Sequence, residues 1–215
     1  MRTKLEADAM PSGVLIIGLQ AGGGSGHSRS GEILRLASRA AAEQGRARVL
    51  EVPPEPDRSL LKALEYLDLH LPKAVLVVGI LRDRKEVTVE RTAVNAEDTM
   101  AVPIEPIDAA GPLSLACTLP SEEIIARITG AGIAAVLSEA PGSSRCNRLA
   151  YALLRYLSLR GEETWFHRQP PAGLCAKIGT LHVPIVETAG EGETVAVQGV
   201  ARAVALAVEA VAASV

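Results

Sequence analysis

Residues Ala74–Leu81 read AVLVVGIL, an unbroken apolar run rich in β-branched side chains. A strand with one wet face alternates apolar and polar residues. A strand that is apolar throughout suits a parallel sheet covered by helices on both sides. Val14–Leu19 (VLIIGL) and Ile133–Leu137 (IAAVL) have the same character. Between these runs the apolar residues fall at helical spacing. Ser30–Gln44 carries Ile33, Leu34, Ala37, Ala40 and Ala41, with Gly45 following as a stop. Asp57–His70 and Ser121–Thr129 read as further helices, the second opened by Ser121 with glutamates in its first turn, where the helix dipole favours them. Strands alternating with helices predict an α/β fold, a three-layer sandwich whose mostly parallel central sheet is flanked by helices.

Two segments break this rhythm. Glu86–Asn95 (EVTVERTAVN) alternates and reads as a strand or hairpin at the edge of the sheet. The Pro-rich stretch Val102–Pro120 reads as a long loop, and loops of that length inside compact domains are usually functional. With 215 residues, 48% of them hydrophobic, the chain has material for one α/β domain over residues 1–215, with an irregular start at 1–12.

Composition also excludes several classes of function. The formal net charge is −3 and no concentrated basic patch is present, so a nucleic-acid partner is not expected. The longest apolar stretch, Thr194–Val215, is alanine-rich and interrupted by Gln198, Arg202 and Glu209; it reads as a packed soluble helix, with no membrane partner. The opening MRTKLEADAMPSG lacks the apolar core of a secretory signal. Three cysteines without regular spacing suit a reducing, cytoplasmic setting better than a disulfide framework.

Candidate chemistry is scattered. The Gly22–Gly26 loop (GGGSG) fits neither a dinucleotide fingerprint nor a Walker loop, but it follows a strand end, where open α/β sheets bind ligands. Cys117 and Cys175 have no activating context. Cys146 differs: it shares one helical face with Leu149, Ala150, Leu153, Leu154 and Leu157, and so falls in a helix's first turn, beside Arg145. The positive end of the helix dipole favours a thiolate there, although a small hydrophobe opening a buried stripe has the same pattern. Among the histidines, His27 lies in the glycine loop, His70 ends a helix and His167 sits in a WFHRQPP segment. His182 lies in an apolar strand, Ile178–Val186, and Glu90 lies in the alternating one; each position also suits a purely structural residue. No His/Cys cluster has metal-ligand spacing, and no metal or cofactor is expected.

Three separated segments nevertheless resemble one family. Val87-Thr-Val-Glu-Arg-Thr-Ala-Val-Asn95 is similar to the I-x-x-E-R-V-A-I-N signature of pyroglutamyl peptidase I, also called pyrrolidone-carboxylate peptidase. Gly142-Ser-Ser-Arg-Cys-Asn-Arg-Leu-Ala-Tyr151 resembles its G-T-x-x-C-N-x-L-x-Y nucleophile segment, and Leu181-His-Val-Pro184 its I-H-V/I-P segment. Gly111-Pro112 and Leu119-Pro120 fall in matching order, and the resemblance spans about Val14 to Val186. It implies a phosphorylase/hydrolase-like fold and a cysteine peptidase that cleaves after N-terminal pyroglutamate, with Cys146 as nucleophile, His182 as base and Glu90 orienting the imidazole. It also implies a small peptide or amide substrate, no cofactor, a cytoplasmic location and a homo-dimer or homo-tetramer.

The substrate pocket departs from that pattern. The family's G-F-x-P-F-G-G loop is Gly18-Leu-Gln-Ala-Gly-Gly-Gly24 here, which puts Leu19 and Gly22 in the aromatic places. Its G-Q-A-G-G-R run is Gly79-Ile-Leu-Arg-Asp-Arg84, with Ile80 for the pocket glutamine, Arg82 and Asp83 for the glycines, and only Arg84 kept. Ser144 and Arg145 replace a Phe-Val pair before the nucleophile. The resemblance thus assigns Leu19, Gly22, Ile80, Arg84, Ser144 and Arg145 to substrate binding. An insertion at roughly Glu162–Cys175 carries Trp165 and Phe166, an adjacent aromatic pair suited to a lid. The charged replacements raise two alternatives: the same machinery acting on an anionic amide or lactam, and a binding homologue without turnover.

Overall fold

The computed structural model describes residues 13–19, 29–45, 47–81, 84–97, 103, 105–141, 144–159, 169–174, 176–184 and 191–215. Its elements are β1 (Val14–Leu19), α1 (Arg29–Gly45), β2 (Arg48–Val52), α2 (Pro56–His70), β3 (Ala74–Leu81), β4 (Val87–Glu90), β5 (Thr92–Val94), β6 (Ser114–Ala116), α3 (Ser121–Gly130), β7 (Ala135–Ser138), α4 (Ser144–Ser158), β8 (Lys177–Pro184) and α5 (Glu191–Ala212). The main sheet has the order β2-β1-β3-β8-β4-β7, and β5 pairs with β6 in a separate ribbon. β2, β1, β3 and β8 run parallel; β4 is antiparallel to β8 and parallel to β7. The expected mostly parallel sandwich is the observed one.

The apolar runs β1 and β3 are buried along nearly their whole length because helices cover both faces. One core joins Ala37 and Ala41 of α1, Ile124 and Ile128 of α3, and Ala203, Val204, Ala207 and Val208 of α5 to one face of the strands. The alanines of α1 and α5 keep that layer thin. The other core packs Leu60, Leu64 and Leu67 of α2 and Leu149, Leu153 and Tyr156 of α4 on the opposite face. Among the described residues no helix is long and apolar enough to cross a membrane.

Four sequence expectations need correction. The segment Glu86–Asn95 is not an edge hairpin. It supplies β4, which lies inside the sheet between β8 and β7, and then β5, which leaves for the ribbon. The break falls at Arg91, whose N–H bonds to Ser138 and whose carbonyl accepts from Cys117. The Pro-rich stretch is not wholly loop, since Ser114–Ala116 pairs with β5. The strand expected from Ile133 begins at Ala135, because Ile133 N–H is still bonded to Ile128 O beyond a turn through Gly132 at φ +78°. Ser121 does not cap α3; Pro120 occupies the cap, and the Ser121 hydroxyl donates to Leu119 O at 3.4 Å. β2 (RVLEV) gives no clear signal in the sequence, because its half-buried, charge-bearing residues lack a strong period.

Candidate active site

Side chains alternate across a strand, so three neighbouring strands send one set of residues toward α2 and α4. From β3 this set ends in Gly79, from β4 it comprises Thr88 and Glu90, and from β8 it includes Thr180 and His182. Gly79 lies beside His182 in the β3–β8 register, Thr88 lies opposite His182 across the antiparallel joint, and Glu90 lies beside Ser138.

His182 and Glu90 are buried to 0% and 1% exposure, and Nδ1 of the ring lies 2.9 Å from Glu90 Oε1. An ionised carboxylate only accepts hydrogen bonds, so Nδ1 donates and Nε2 is left for a second partner. Cys146 Sγ packs against that edge of the ring. A Cβ built on Gly79 would strike this sulfur while standing 3.2 Å from Cδ2 and 3.5 Å from Nε2 of His182. Only glycine leaves room there. Nε2 has no well-aligned hydrogen-bond partner among the described residues, as is common before a substrate draws such a site together. Burial works against the imidazolium, but the contacts with Cys146 and Glu90 outweigh it and push His182 up from 6.5 to about 9.

Glu90 is held from two further sides. Thr88 Oγ1 donates to Oε1 at 3.4 Å, and Arg84 Nη2 approaches the same oxygen to 3.7 Å. Arg84 also donates to Ala140 O at 2.7 Å and lies 3.4 Å from Ser138 Oγ. It is turned toward Glu90 and the segment leading to α4.

Cys146 is the third residue of α4, and the residue after it fixes the helix in place. Asn147 Oδ1 accepts from Val94 N–H at 2.8 Å, while Nδ2 donates to Val94 O at 2.9 Å and Ala96 O at 3.3 Å. The amide therefore bonds β5 much as another strand would. Arg148 pairs with Asp57 at 2.6 Å and with Glu97, and Arg155 pairs with Asp108 at 2.7 Å. Cys117 lies in the segment after β6, half-buried. Burial pushes its thiol up to about 11; the Thr180 backbone N–H opposes this and the charge of Glu90 adds to it.

The remaining candidates are less concentrated. Leu19 and Ile80 are half-buried at the ends of β1 and β3. Ser144 opens α4, with its side chain outside the described atoms, and Arg145 follows it, half-buried. Gly22, His27, Arg82, Asp83, Trp165, Phe166, His167 and Cys175 lie outside the described residues. His70 packs against Tyr66 with ring centroids 4.2 Å apart and ring planes tilted by 37°, a structural contact. Among the described residues no cluster of His, Cys, Asp or Glu could hold a metal ion. Sequence reasoning gave no role to Thr88, Gly79 or Asn147. Thr88 was findable, being two residues from Glu90 on the same strand face; Asn147 adjoins the candidate nucleophile; Gly79 carries no signal without the neighbouring strand.

Comparison with known proteins identifies the family and the fold. The family model described as pyroglutamyl peptidase, Peptidase_C15, matches residues 47–214. The pyrrolidone-carboxylate peptidase of Vibrio vulnificus strain CMCP6 is 30% identical over 164 residues, covering 73% of this chain and 77% of that protein. Pyrrolidone-carboxylate peptidase 1 of Caldanaerobacter subterraneus is 32% identical over 142 residues, and there the match spans only 64% of the relative's length and 63% of this chain. Among solved structures, pyroglutamyl peptidase I of Bacillus amyloliquefaciens superposes with a TM-score of 0.72 at 23% identity, over 93% of this chain and 96% of that one, which shows a shared fold. The pyrrolidone carboxyl peptidase of Thermus thermophilus gives a TM-score of 0.68 at 28% identity, over 91% of this chain and 98% of that one. By the extent of the family match, and by a fold shared over nearly its whole length, this chain belongs to the pyroglutamyl peptidase family, Peptidase_C15.

Proposed function

We propose that the chain is a cysteine peptidase that releases N-terminal pyroglutamate, with Cys146 as nucleophile, His182 as general base and acid, and Glu90 as the group that orients and charges the imidazole. The observation that carries the reading is the buried 2.9 Å contact between His182 and Glu90 with Cys146 sulfur against the far edge of the ring. Proton transfer from Sγ to Nε2 gives a thiolate and an imidazolium, and Glu90 stabilises the cation. The thiolate adds to the scissile carbonyl. The backbone N–H groups in the first turn of α4 serve as donors to the oxyanion that forms. His182 then protonates the leaving amine, and water, deprotonated by the same nitrogen, hydrolyses the thioester. No cofactor enters this scheme, and assembly into a dimer or tetramer belongs to the same proposal.

A second reading shares the chemistry and changes the substrate to a different, anionic amide or lactam. It is favoured by Leu19 and Ile80, which stand where the resemblance expects a phenylalanine and a glutamine, and by Arg82 and Arg145, whose charges suit a substrate carboxylate. A stacked aromatic face is worth about 0.5–1.5 kcal/mol beyond its area, so the loss is felt in binding rather than in chemistry. Hydrolysis of a fluorogenic pyroglutamyl amide by wild type and Cys146→Ala separates the readings. Turnover lost on substitution supports the first. No turnover, with Cys146 still alkylated by iodoacetamide at neutral pH, favours the second. A Cys146 no more reactive than in the unfolded chain excludes both.

A further inference from the structure

Resting on the assignment of Cys146, His182 and Glu90 above, we propose that Arg84 is a positioning residue: it holds the Glu90 carboxylate in register with His182, ties it to the segment that delivers Cys146, and sets by its charge the pH range in which the thiolate–imidazolium pair exists. One nitrogen does most of this. Arg84 Nη2 lies 2.7 Å from Ala140 O, 3.4 Å from Ser138 Oγ and 3.7 Å from Glu90 Oε1. That carboxylate oxygen is the one that accepts from His182 Nδ1 at 2.9 Å. Oε1 therefore sits between two cationic groups that compete for it.

The anchor for this contact is itself braced. Ser138 Oγ donates to Ala140 O at 2.9 Å and accepts from Ala140 N–H at 3.2 Å, while Ser138 O accepts from Arg91 N–H at 2.8 Å. Residues 138–141 are the end of β7 and the start of the link to α4, so the guanidinium joins the carboxylate's strand to the nucleophile's approach. Its outer side borders a cavity of about 340 Å³ that is also lined by Lys85, Glu86 and Thr88. The head group is thus wet on one side and aimed at a buried anion on the other. Among the described residues, the titratable or charged groups facing the Glu90–His182 pair include Arg84 from the segment after β3, Cys146 from α4 and Cys117 from the segment after β6. Burial pushes the Cys117 thiol up to about 11, and Arg84 places a cation against Glu90.

The sign of its effect follows. Removing a cation beside Glu90 makes the site more negative, so His182 keeps its proton to higher pH and the thiol yields its proton less readily. Both changes move the reactive window upward. The test is the pH profile of iodoacetamide alkylation in the full-length wild type, Arg84→Gln, Arg84→Met and Arg84→Lys, with alkylation of Cys146→Ala subtracted. We expect the profile to move up by about half to one pH unit in the Gln and Met variants and to return most of the way in Lys. Gln keeps a donor for Ala140 O, so it carries the test should Met fail to fold by circular dichroism. With a pyroglutamyl amide, kcat should fall while KM holds. Profiles that superimpose on wild type, or a raised KM with kcat intact, overturn the inference and leave the nucleophile assignment standing. A wild-type profile matching that of the unfolded chain overturns both.

Discussion

Along β3, β4 and β8 successive residues face opposite ways, so the two faces of the sheet can be compared position by position. Toward α1, α3 and α5 stand Leu76, Val78, Val87, Val89, Leu181 and Val183, all buried and all aliphatic. Toward α2 and α4 the same strands show Val75, Val77 and Ile178 near one end, then Gly79, Thr88, Glu90 and His182 near the other. One face is a core throughout. The other is a core for half its length and a polar, nearly dry site for the rest. Burying a carboxylate and an imidazole is costly unless they pair, and the pairing here is to each other, to Thr88 and to Arg84. The aliphatic face supplies stability, which the polar face partly gives up in order to hold a buried carboxylate and imidazole together.

Each face can be perturbed by itself. The largest effect is expected from Leu181→Ala, which cuts a cavity into the aliphatic face one residue from His182. It should cost about 2–5 kcal/mol in denaturant unfolding while the folded protein alkylates at a near-normal rate. Loss of reactivity well below the unfolding midpoint would show that the faces are not separable. Gly79→Ala works in the opposite direction. Its methyl lands on Cys146 Sγ, so turnover and alkylation should fall on the order of 100-fold, while the overpacking should cost about 1–3 kcal/mol of stability, less than Leu181→Ala. Asn147→Ala strips Val94 N–H and two carbonyls of their partner and should cost about 1–3 kcal/mol, measured the same way as for Leu181.

The pH dependence of stability sharpens the contrast further. His182 is raised in the folded state, so the stability gained from its proton is complete below about 6.5 and is lost as pH climbs through about 9. The stability gap between wild type and His182→Gln should therefore narrow across that window by about 3 kcal/mol, since each tenfold change in proton affinity corresponds to about 1.4 kcal/mol. No such window is expected for Leu181→Ala. Thr88→Val should matter least: a 3.4 Å contact to Glu90 is long, and its loss should slow turnover by about threefold.

Much of this division is legible in the sequence. The runs at Val14–Leu19 and Ala74–Leu81 match the observed strands residue for residue, because continuous apolar character has few other uses in a chain of this kind. Cys146 opening a stripe with Leu149, Ala150, Leu153 and Leu154 is equally readable from helical spacing. What escapes such a reading depends on partners distant in sequence. Glu86–Asn95 alternates like an edge strand, but burial comes to β4 from β8, which lies some ninety residues further on. Gly79 looks like any other glycine within a strand until Cys146 arrives from α4. Arg84 stands out in the sequence only through the resemblance, as a substrate-binding candidate, and its contacts with Glu90 and Ala140 appear only once β4 and β7 are in place.

The place of β8 has a consequence for biosynthesis. Of the strands in the main sheet it comes last in the chain, yet it lies between β3 and β4. Before it is made, β2-β1-β3 and β4-β7 are two fragments with no strand to join them, and neither contains His182. A chain emerging from the ribosome therefore carries its thiol at Cys146 and its carboxylate at Glu90 for some time without the imidazole that lies between them. Insertion of one strand closes the sheet and brings the three side chains together in the same event. The long loop closure this requires also makes it the natural slow step of folding.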